Sequence, residues 1–276
     1  MVKERELMKK VKMFLAATLA VSMLVPMAAC ASFDTSSGTA SGTTGTAAAS
    51  TAGGNVTMST NAEFEPFEYK ANGKIVGIDV DIANKVAAKL GKTLQVRDVA
   101  FDSLPAELTA GKCDFVAAGM TITDDRKKNM DFSDSYFDAA QAIIVAKGST
   151  IKGKADLKGK KIGVQQGTTG DDYCTKNYKD TPPKRYNKGA DAISDLISKR
   201  IDAVVIDDYS AQKFVAKNAN QVQKLSDALT VEHYAIAVKK GNTQLVSTIN
   251  GVLKDMKSNG ELDKIINKYK SALESD

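Results

Sequence analysis

Tryptophan is absent from this 276-residue sequence, and histidine occurs once, as His233. A single histidine cannot supply the several imidazoles of a histidine-rich metal site. It also leaves no Ser/His/Asp or Cys/His arrangement for nucleophilic catalysis. We therefore expect no metal, no cofactor and no hydrolase of these kinds.

Cysteine is scarce too, with three residues at positions 30, 113 and 174. Cys30 belongs to the N-terminal signal discussed below. The spacing of Cys113 and Cys174 is not typical of a disulfide framework. We expect two buried thiols, and a disulfide between them is the alternative.

A concentrated basic surface is also lacking. The formal net charge of +5 suggests nucleic acid or a membrane as partner, but residues 1–29 hold 5 Lys/Arg and only 2 Asp/Glu. The rest of the chain holds 33 Lys/Arg and 31 Asp/Glu. Basic residues nowhere alternate with aromatic ones, so we expect no nucleic-acid partner.

The N-terminal residues predict export. Residues 1–12 are basic, and residues 13–25 form an apolar run too short to be a stable membrane span. This order is typical of a secretory signal, which we place at residues 1–29. Both Met1 and Met8 are candidate start sites.

Small residues directly before Cys30 resemble the lipobox of bacterial lipoproteins, which implies lipidation of Cys30. An unlipidated export signal cleaved nearby is the alternative. Residues 30–54 are mostly Ser, Thr, Gly and Ala, a composition that predicts a flexible linker. We expect the protein to be anchored by lipid to the outer face of the cytoplasmic membrane, or in the periplasm of a two-membrane bacterium.

Short apolar segments alternate with amphipathic ones from residue 55 onward. Strands are predicted at 56–60, 75–80, 94–99, 113–118, 142–146, 161–164 and 231–240. Helices are predicted after Asp81, after Phe101, after Thr123, near Asp171, and at 242–258 and 261–270. This alternation predicts an α/β fold with a largely parallel sheet.

Residues 117–136 carry the strongest chemical signal. Gly119 follows an apolar strand and lets the chain turn at its carboxyl end, where ligands of open α/β sheets bind. Thr123 is a predicted helix N-cap, and Arg126 lies in the first turn of that helix. A guanidinium there can bind a carboxylate, while Thr121 and the Gly119 carbonyl can meet an ammonium. The alternative is an ordinary solvated charge cluster.

A second turn, Gln-Gln-Gly-Thr-Thr-Gly at residues 165–170, opens the helix predicted near Asp171. Backbone N–H groups at such a helix start can receive an anion. The turn lacks the Gly-Lys-Ser/Thr ending of a P-loop, so a nucleotide site has little support. A carboxylate site and a plain turn remain as alternatives.

Two segments echo one another, at residues 108–119 and 196–207. Each has a leucine at a helix end, an aspartate six residues later and an apolar strand ending five residues after that aspartate. Gly119 and Asp207 would then occupy equivalent strand ends in two similar lobes and face one cleft. The alternative is that helix, turn and strand recur in any α/β protein.

Seven segments together carry a family resemblance over nearly all of positions 30–276. They read TNAEFEPFEY, VGIDVD, FDSLPAEL, AGMTITDDR, DFSDSY, GVQQGTTG and DAVVID. In this order they resemble the extracellular solute-binding proteins of ABC importers, in the polar amino acid group that includes the glutamine- and histidine-binding proteins.

This resemblance implies a two-lobed α/β fold, the type II periplasmic-binding-protein-like fold, with the ligand in the cleft between lobes. The large lobe would comprise residues 55–137 and 234–276, and the small lobe residues 138–233. The chain would cross between the lobes near residues 136–140 and 230–234.

The resemblance also implies a role for individual residues. Arg126 would hold the ligand α-carboxylate with help from the backbone N–H of Thr169, and Gly119, Thr121 and Asp207 would meet the α-amino group. No residue is expected to be catalytic. The predicted ligand-binding residues are Asn61, Glu63, Phe64, Phe101, Gly119, Met120, Thr121, Arg126, Gln165, Thr168, Thr169 and Asp207.

The ligand side chain would be covered by Phe64 and Phe101, with Asn61, Glu63 and Gln165 at its far end and no Lys or Arg there. Asn61 stands where several relatives carry an acid, and Gln165 where the glutamine-binding protein has lysine. We expect glutamine, arginine or lysine to bind, without a choice among them. Glutamate and aspartate should bind weakly, because their second carboxylate would be buried without a cation.

We therefore expect a monomeric substrate-binding component that captures a polar L-amino acid and delivers it to an ABC permease in the membrane. One alternative is an enzyme on the same fold, similar to cyclohexadienyl dehydratase, with Glu63 or Asp207 as acid/base. The other is an amino-acid sensor that takes no part in transport.

Overall fold

The computed structural model describes residues 53–274. The predicted signal peptide, Cys30 and nearly all of the predicted linker lie outside this range. Within residues 53–274, every helix is too short or too polar to cross a membrane.

A first five-stranded sheet combines parallel and antiparallel pairs. In spatial order its strands are β5 (Thr93–Asp98), β1 (Asn55–Thr60), β6 (Phe115–Val116), β15 (Ala237–Lys239) and β7 (Met130–Phe132). Strand β1 runs parallel to both of its neighbours, and β15 runs antiparallel to both of its own. The sheet is therefore mixed, whereas a largely parallel one was predicted.

A second five-stranded sheet follows in the chain. In spatial order its strands are β11 (Lys184–Tyr186), β10 (Ile162–Gln165), β12 (Ala203–Asp207), β9 (Gln141–Ala146) and β13 (Val222–Lys224). Strand β10 is parallel to β11 and β12, and β9 is antiparallel to β12 and β13. We call the parts of the chain built around the two sheets the first and second lobes.

Two antiparallel strands connect the lobes, β8 (Phe137–Ala139) and β14 (Glu232–Tyr234). The chain passes from the first sheet to the second through β8 and returns through β14. The lobe bounds predicted at residues 137/138 and 233/234 fall on these strands and stay a prediction.

A small antiparallel sheet lies beside the first lobe, with strands β2 (Glu63–Phe64), β3 (Glu68–Ala71) and β4 (Lys74–Val76). A cis peptide bond joins Glu65 to Pro66 between β2 and β3. This sheet brings Glu63 and Phe64 next to the predicted cleft.

Eight α-helices are present in residues 53–274, with short 3₁₀ turns at Phe101–Ser103 and Lys154–Leu157. The helices are α1 (Ile78–Lys89), α2 (Leu104–Thr109), α3 (Asp124–Lys127), α4 (Thr169–Asn177), α5 (Gly189–Ile197), α6 (Asp208–Lys217), α7 (Thr243–Ser258) and α8 (Glu261–Glu274).

The strand predicted at residues 75–80 is wrong beyond Val76, because α1 already begins at Ile78. Gly77 causes the change of direction with φ 139°, and a Cβ there would lie 2.0 Å from the Phe67 carbonyl oxygen. Only glycine fits such a turn. The helix then buries Ile78, Ile82 and Val86 on one face.

The single strand predicted at residues 231–240 is divided into β14 and β15. Its hydrogen-bond partners change between the two halves: Ala235 N donates to Met120 O at 3.0 Å, and Ile236 N donates to Ser133 Oγ at 3.0 Å. The strand predicted at 113–118 is likewise shorter, because only Phe115 and Val116 join the ladder.

The internal echo is confirmed by matching hydrogen bonds in the two lobes. Asp114 Oδ2 accepts from Thr57 N at 2.7 Å, and Asp114 N donates to Thr57 O at 2.8 Å. Asp202 repeats both contacts with Lys161, each at 2.8 Å. Each aspartate thus fixes the start of its strand to the neighbouring strand, so the strands that lead to Gly119 and to Asp207 begin in the same way.

The cores are as apolar as the sequence predicts. Ile249, Leu253 and Met256 form the buried face of α7. Cys113 and Cys174 are both buried free thiols, so the prediction of two thiols is confirmed.

Candidate functional site

Nine residues from both lobes line a small cavity, which we call the cleft cavity. All nine belong to the predicted set of ligand-binding residues. They are Phe64, Phe101, Gly119, Thr121, Arg126, Gln165, Thr168, Thr169 and Asp207.

Arg126 enters the cleft cavity from the short helix α3. Thr123 is the N-cap of this helix, as predicted, and its side chain accepts from Arg126 N at 3.1 Å. The guanidinium donates to Thr121 O at 2.8 Å and to Gly167 O at 3.0 Å. Its Cζ lies 5.5 Å from the centre of the Phe101 ring, a cation–π distance.

The charge of Arg126 has no carboxylate partner within residues 53–274. Burial lowers the pKa of the guanidinium, while the negative charges of Asp172, Glu232 and Asp207 act against that shift. Arginine stays protonated under all ordinary conditions, so the cleft cavity contains a fixed positive charge that an anion can approach.

Thr168 and Thr169 lie at the start of α4, on the second lobe. Thr168 is the N-cap, and its Oγ1 accepts from Asp171 N at 3.3 Å. Thr169 opens the helix and donates its hydroxyl to Glu232 Oε2 at 2.9 Å. Because the first N–H groups of a helix have no partner inside the helix, this end adds donors for an anion.

Asp207 is the last residue of β12 and is buried. The Tyr234 hydroxyl donates to its Oδ1. Burial, and then the negative charge of Glu232, raise the pKa of Asp207 to about 7. The carboxylate thus lies where a cation would relieve the energetic cost of its burial.

Gly119 is the matching strand end of the first lobe, and its position requires glycine. Its φ is 53°, and a Cβ there would lie 2.7 Å from Phe64 Cε1. Its N–H donates to Asp79 Oδ2 at 2.8 Å, and the Tyr136 hydroxyl donates to Asp79 Oδ1 at 2.7 Å. This buried aspartate therefore holds the turn that presents the Gly119 carbonyl.

Asn61 and Gln165 meet across the cleft. Gln165 Nε2 donates to Asn61 Oδ1 at 2.9 Å, and Asn61 Nδ2 donates to Val99 O at 2.9 Å. Gln165 lines the cleft cavity, whereas Asn61 lies behind it. The two amides form a neutral polar wall, which we call the amide wall.

Besides Asn61, two more predicted site residues, Glu63 and Met120, lie outside the cavity lining. Glu63 Oε1 pairs with Lys188 Nζ at 2.7 Å near the surface, so the expectation of no Lys or Arg at this end is wrong. Lys188 precedes α5, far along the chain, and no local pattern connects it with Glu63. The Met120 side chain is buried in an apolar cluster with Leu104 and Leu108, because it follows the strand into the core.

Glu232 and Gln141 are site residues that the sequence analysis missed. Glu232 is 5% exposed, and its Oε2 accepts from Thr121 Oγ1 at 2.8 Å as well as from Thr169. Gln141 Nε2 donates to Thr169 Oγ1 at 3.1 Å. Side chains alternate along this strand, so Glu232 lies on the buried face while Val231 and His233 are exposed. A charged residue on the buried face of a predicted strand was the signal available in the sequence.

Metal ligation has no support within residues 53–274, since no three His, Cys, Asp or Glu side chains gather there. The single histidine, His233, pairs with Asp138 at the surface, with Nδ1 2.8 Å from Oδ1.

The sequence model of the bacterial extracellular solute-binding proteins, family 3, matches residues 56–272. The arginine-binding extracellular protein ArtP of Bacillus subtilis is 36% identical, with 77% of this chain and 84% of that protein covered. A probable histidine-binding protein of Neisseria gonorrhoeae is 38% identical, with 77% and 81% covered.

Solved structures agree with these sequence relatives. The P235GK mutant of ArgBP from T. maritima has a TM-score of 0.76 and 44% identity, with 79% of this chain and 95% of that chain covered. An ancestral arginine-binding protein bound to arginine has a TM-score of 0.75 and 44% identity, with 78% and 97% covered. With the family model spanning most of the chain and two lobes meeting at one polar cavity, this chain belongs to the bacterial extracellular solute-binding proteins of family 3.

Proposed function

We propose that this chain captures a polar L-amino acid in the cleft cavity and delivers it to an ABC permease, with L-arginine ahead of lysine and glutamine. The observation that carries the proposal is the separation of charge in one small cavity. Arg126 supplies a positive charge that pairs directly with no carboxylate of residues 53–274, and Asp207 supplies a buried carboxylate. An α-amino acid carries the two complementary charges on a single carbon.

The carboxylate end of the ligand would lie between the lobes. Arg126 offers guanidinium donors from the first lobe, and the start of α4 at Thr169 offers backbone N–H groups from the second. Charge-assisted hydrogen bonds of this kind are roughly twice as strong as neutral ones. Both lobes must meet to complete this half of the site.

The ammonium end would face acceptors only. They are the Asp207 carboxylate, the Thr121 hydroxyl oxygen and the Gly119 carbonyl. An ammonium has three donors and no acceptor, so three acceptors match it. A ligand with a carboxylate in place of the amino group would meet only acceptors here and would gain no hydrogen bond from them.

The side chain of the ligand would extend past Phe64 toward the amide wall of Asn61 and Gln165. Amide oxygens accept from an ammonium or a guanidinium, and amide N–H groups pair with a glutamine side chain. Glu63 adds negative charge nearby, although Lys188 now neutralises it. The preference for arginine is supported by the names of the relatives and solved structures described above.

Calorimetric titration with L-arginine, L-lysine, L-glutamine, L-glutamate and L-aspartate tests the proposal. We expect arginine to bind most tightly and the two acidic amino acids most weakly. Glutamate as the tightest ligand, or no binding of any of the five, would overturn it.

The predicted anchor and partner complete the proposal. Lipidation of Cys30 would tether a monomer outside the membrane, within reach of its permease. The Cys30→Ser variant tests the anchor by detergent-phase partitioning, where the wild type should enter the detergent phase and the variant the aqueous phase. Equal partitioning into the aqueous phase would remove the anchor from the proposal.

Lobe closure is part of the same proposal, because donors on both lobes act on one ligand. X-ray scattering should give a smaller radius of gyration with L-arginine than without it. An unchanged radius, with ligand bound by calorimetry, would contradict closure about β8 and β14.

An enzyme on this fold is the second candidate, and one observation favours it. The pKa of Asp207, about 7, suits a general acid or base at neutral pH. Proton NMR of a bound amino acid during long incubation separates the two functions. We expect the ligand to be recovered unchanged, and a new product would favour the enzyme.

A further inference from the structure

Glu232 joins the two halves of the cleft through one oxygen atom. Its Oε2 accepts from Thr121 Oγ1 at 2.8 Å and from Thr169 Oγ1 at 2.9 Å, and its Oε1 accepts from Thr230 Oγ1 at 2.8 Å. Thr121 belongs to the first lobe and Thr169 to the second, while Glu232 lies on β14 between them. A single carboxylate in the connection therefore contacts both sides of the ligand cavity.

The protons of these contacts follow from the chemistry of the groups. A carboxylate has no proton to donate, so the hydroxyls of Thr121 and Thr169 must both donate to it. Each hydroxyl has one hydrogen, and both are thereby directed at Glu232. Thr121 Oγ1 is left with lone pairs only toward the cleft cavity, which it lines.

The cost of this arrangement indicates a function. Glu232 is 5% exposed and forms no ion pair with any Lys or Arg of residues 53–274. A buried carboxylate without a cation is unfavourable unless hydrogen bonds or a ligand compensate. A glutamine of the same shape would avoid the charge, but it would donate to one threonine and turn that hydroxyl proton elsewhere.

We propose that Glu232 is a positioning residue that fixes Thr121 as a hydrogen-bond acceptor for the ligand ammonium. This inference rests on the proposed binding of an amino acid. It assigns selectivity for a protonated amino group to a residue in the connection between the lobes, behind the cavity lining.

A double-mutant cycle on Glu232→Gln and Thr121→Val tests the proposal with L-arginine. Each single variant should weaken binding about ten- to a hundredfold, the range expected when a hydrogen bond to a charged group is lost. If Glu232 acts through Thr121, then Glu232→Gln should change the affinity of Thr121→Val less than about threefold. Thr121→Ser keeps the hydroxyl and should bind close to the wild type.

Glu107→Gln is the matched control. Glu107 is also a buried glutamate, but it pairs with Arg97 and Lys112, and none of the three residues lines the cleft cavity. The affinity of the Glu107→Gln variant for L-arginine should stay within about twofold of that of the wild type, because the loss of a surface ion pair has only a small effect. Thermal unfolding of every variant verifies that the fold is intact.

The pH profile of binding provides a readout that a purely structural role would not change. Asp207 faces the Tyr234 hydroxyl and the Gln141 amide, and the charged groups acting on it include Glu232 and Arg126. The charge of Glu232 raises the pKa of Asp207. Glu232→Gln should therefore move the acidic limb of the L-arginine binding profile to lower pH, whereas Glu107→Gln should leave it in place.

Three outcomes separate the proposals. Weak binding by Glu232→Gln with coupling to Thr121 supports the positioning role. Full affinity of Glu232→Gln, or effects of the two variants that simply multiply, would overturn this inference while the proposed function stands. Failure of the wild type to bind any amino acid would overturn both.

Discussion

Arg126 donates one guanidinium hydrogen bond to Gly167 O at 3.0 Å and so joins the first lobe directly to the turn before α4. A second acceptor of the guanidinium, Thr121 O at 2.8 Å, is also a neutral carbonyl. Neutral acceptors leave the guanidinium without a directly paired carboxylate. A ligand carboxylate would add charge pairing that neither carbonyl can give.

Ligand affinity should depend on pH through Asp207. Burial and the charge of Glu232 raise the pKa of this group to about 7, and a ligand ammonium would lower the pKa again. The free protein then holds a proton that the complex has lost, so binding releases a proton and affinity falls as the pH falls below about 7. The association constant should fall by about tenfold for each pH unit below that value.

Calorimetry in two buffers of different ionisation enthalpy, at about pH 6, measures this proton release. Asp207→Asn is the control, with weaker binding and no acidic limb. A wild-type affinity that stays constant down to about pH 5.5 would contradict the role of Asp207.

Glu68 should make the protein less stable at higher pH. Its carboxyl is fully buried beside Asp79 and has no N–H or O–H donor from residues 53–274. Burial, then the charge of Asp79, raise the pKa of Glu68 well above its ordinary value of 4.5. The folded state keeps a proton that the unfolded state releases above that value, so the stabilising effect of low pH is lost as the pH rises.

Glu68→Gln removes this dependence. Relative to the wild type, its free energy of unfolding should increase by up to about 1.4 kcal/mol for each pH unit above the ordinary pKa. Urea unfolding from acidic to mildly alkaline pH measures the difference. Glu107→Gln should show the opposite trend, and only below the ordinary pKa of glutamate, because Lys112 and Arg97 lower the pKa of Glu107. Parallel curves for Glu68→Gln and the wild type would argue against a protonated Glu68.

Lys188 should weaken the binding of cationic ligands. Its Nζ is 2.7 Å from Glu63 Oε1 and neutralises that carboxylate. Lys188→Met frees Glu63, so the affinity for L-arginine should rise about two- to fivefold, the range of an exposed ion pair. L-glutamine should bind as before. Lys74→Met on β4, an exposed lysine away from the cleft cavity, is the control, and equal effects of both variants would refute a local role for Lys188.

Gly119→Ala should abolish tight binding. The added Cβ would lie 2.7 Å from Phe64 Cε1, and φ 53° is a conformation that alanine rarely adopts. Gly251→Ala is the matched control, because a Cβ at this position of α7 meets nothing within 4 Å. It should stabilise the fold by roughly 1 kcal/mol without changing affinity. Equal affinities of the two variants would contradict this prediction and would show that the Phe64 side chain moves aside at little cost.

Local sequence signals predicted several features of the fold and of the cavity lining. Thr123 caps its helix because an N-cap requires only the next three residues. The aspartates at positions 114 and 202 revealed the two matching strands, since each binds the backbone of a neighbouring strand in the same way. Gly119 and Asp207 consequently line one cavity, as the internal echo implies.

What the sequence could not provide depends on contacts between distant segments. Glu232 meets Thr121 over 111 residues of chain, and Lys188 meets Glu63 over 125. No period or spacing encodes such pairs. Likewise, Met120 follows a site glycine in sequence, but alternation along the chain turns its side chain into the core.

The affinity of Arg126→Ala for L-arginine tests the account most directly. Loss of one partner of a buried charge pair costs roughly 2 to 5 kcal/mol, which is about thirtyfold to several-thousandfold in Kd. Arg97→Ala is the control, because Arg97 pairs with Glu107 outside the cleft cavity and should leave binding unchanged. Calorimetry on the two folded variants should show the large loss for Arg126→Ala alone. A loss under about threefold would mean that Arg126 does not hold the ligand carboxylate.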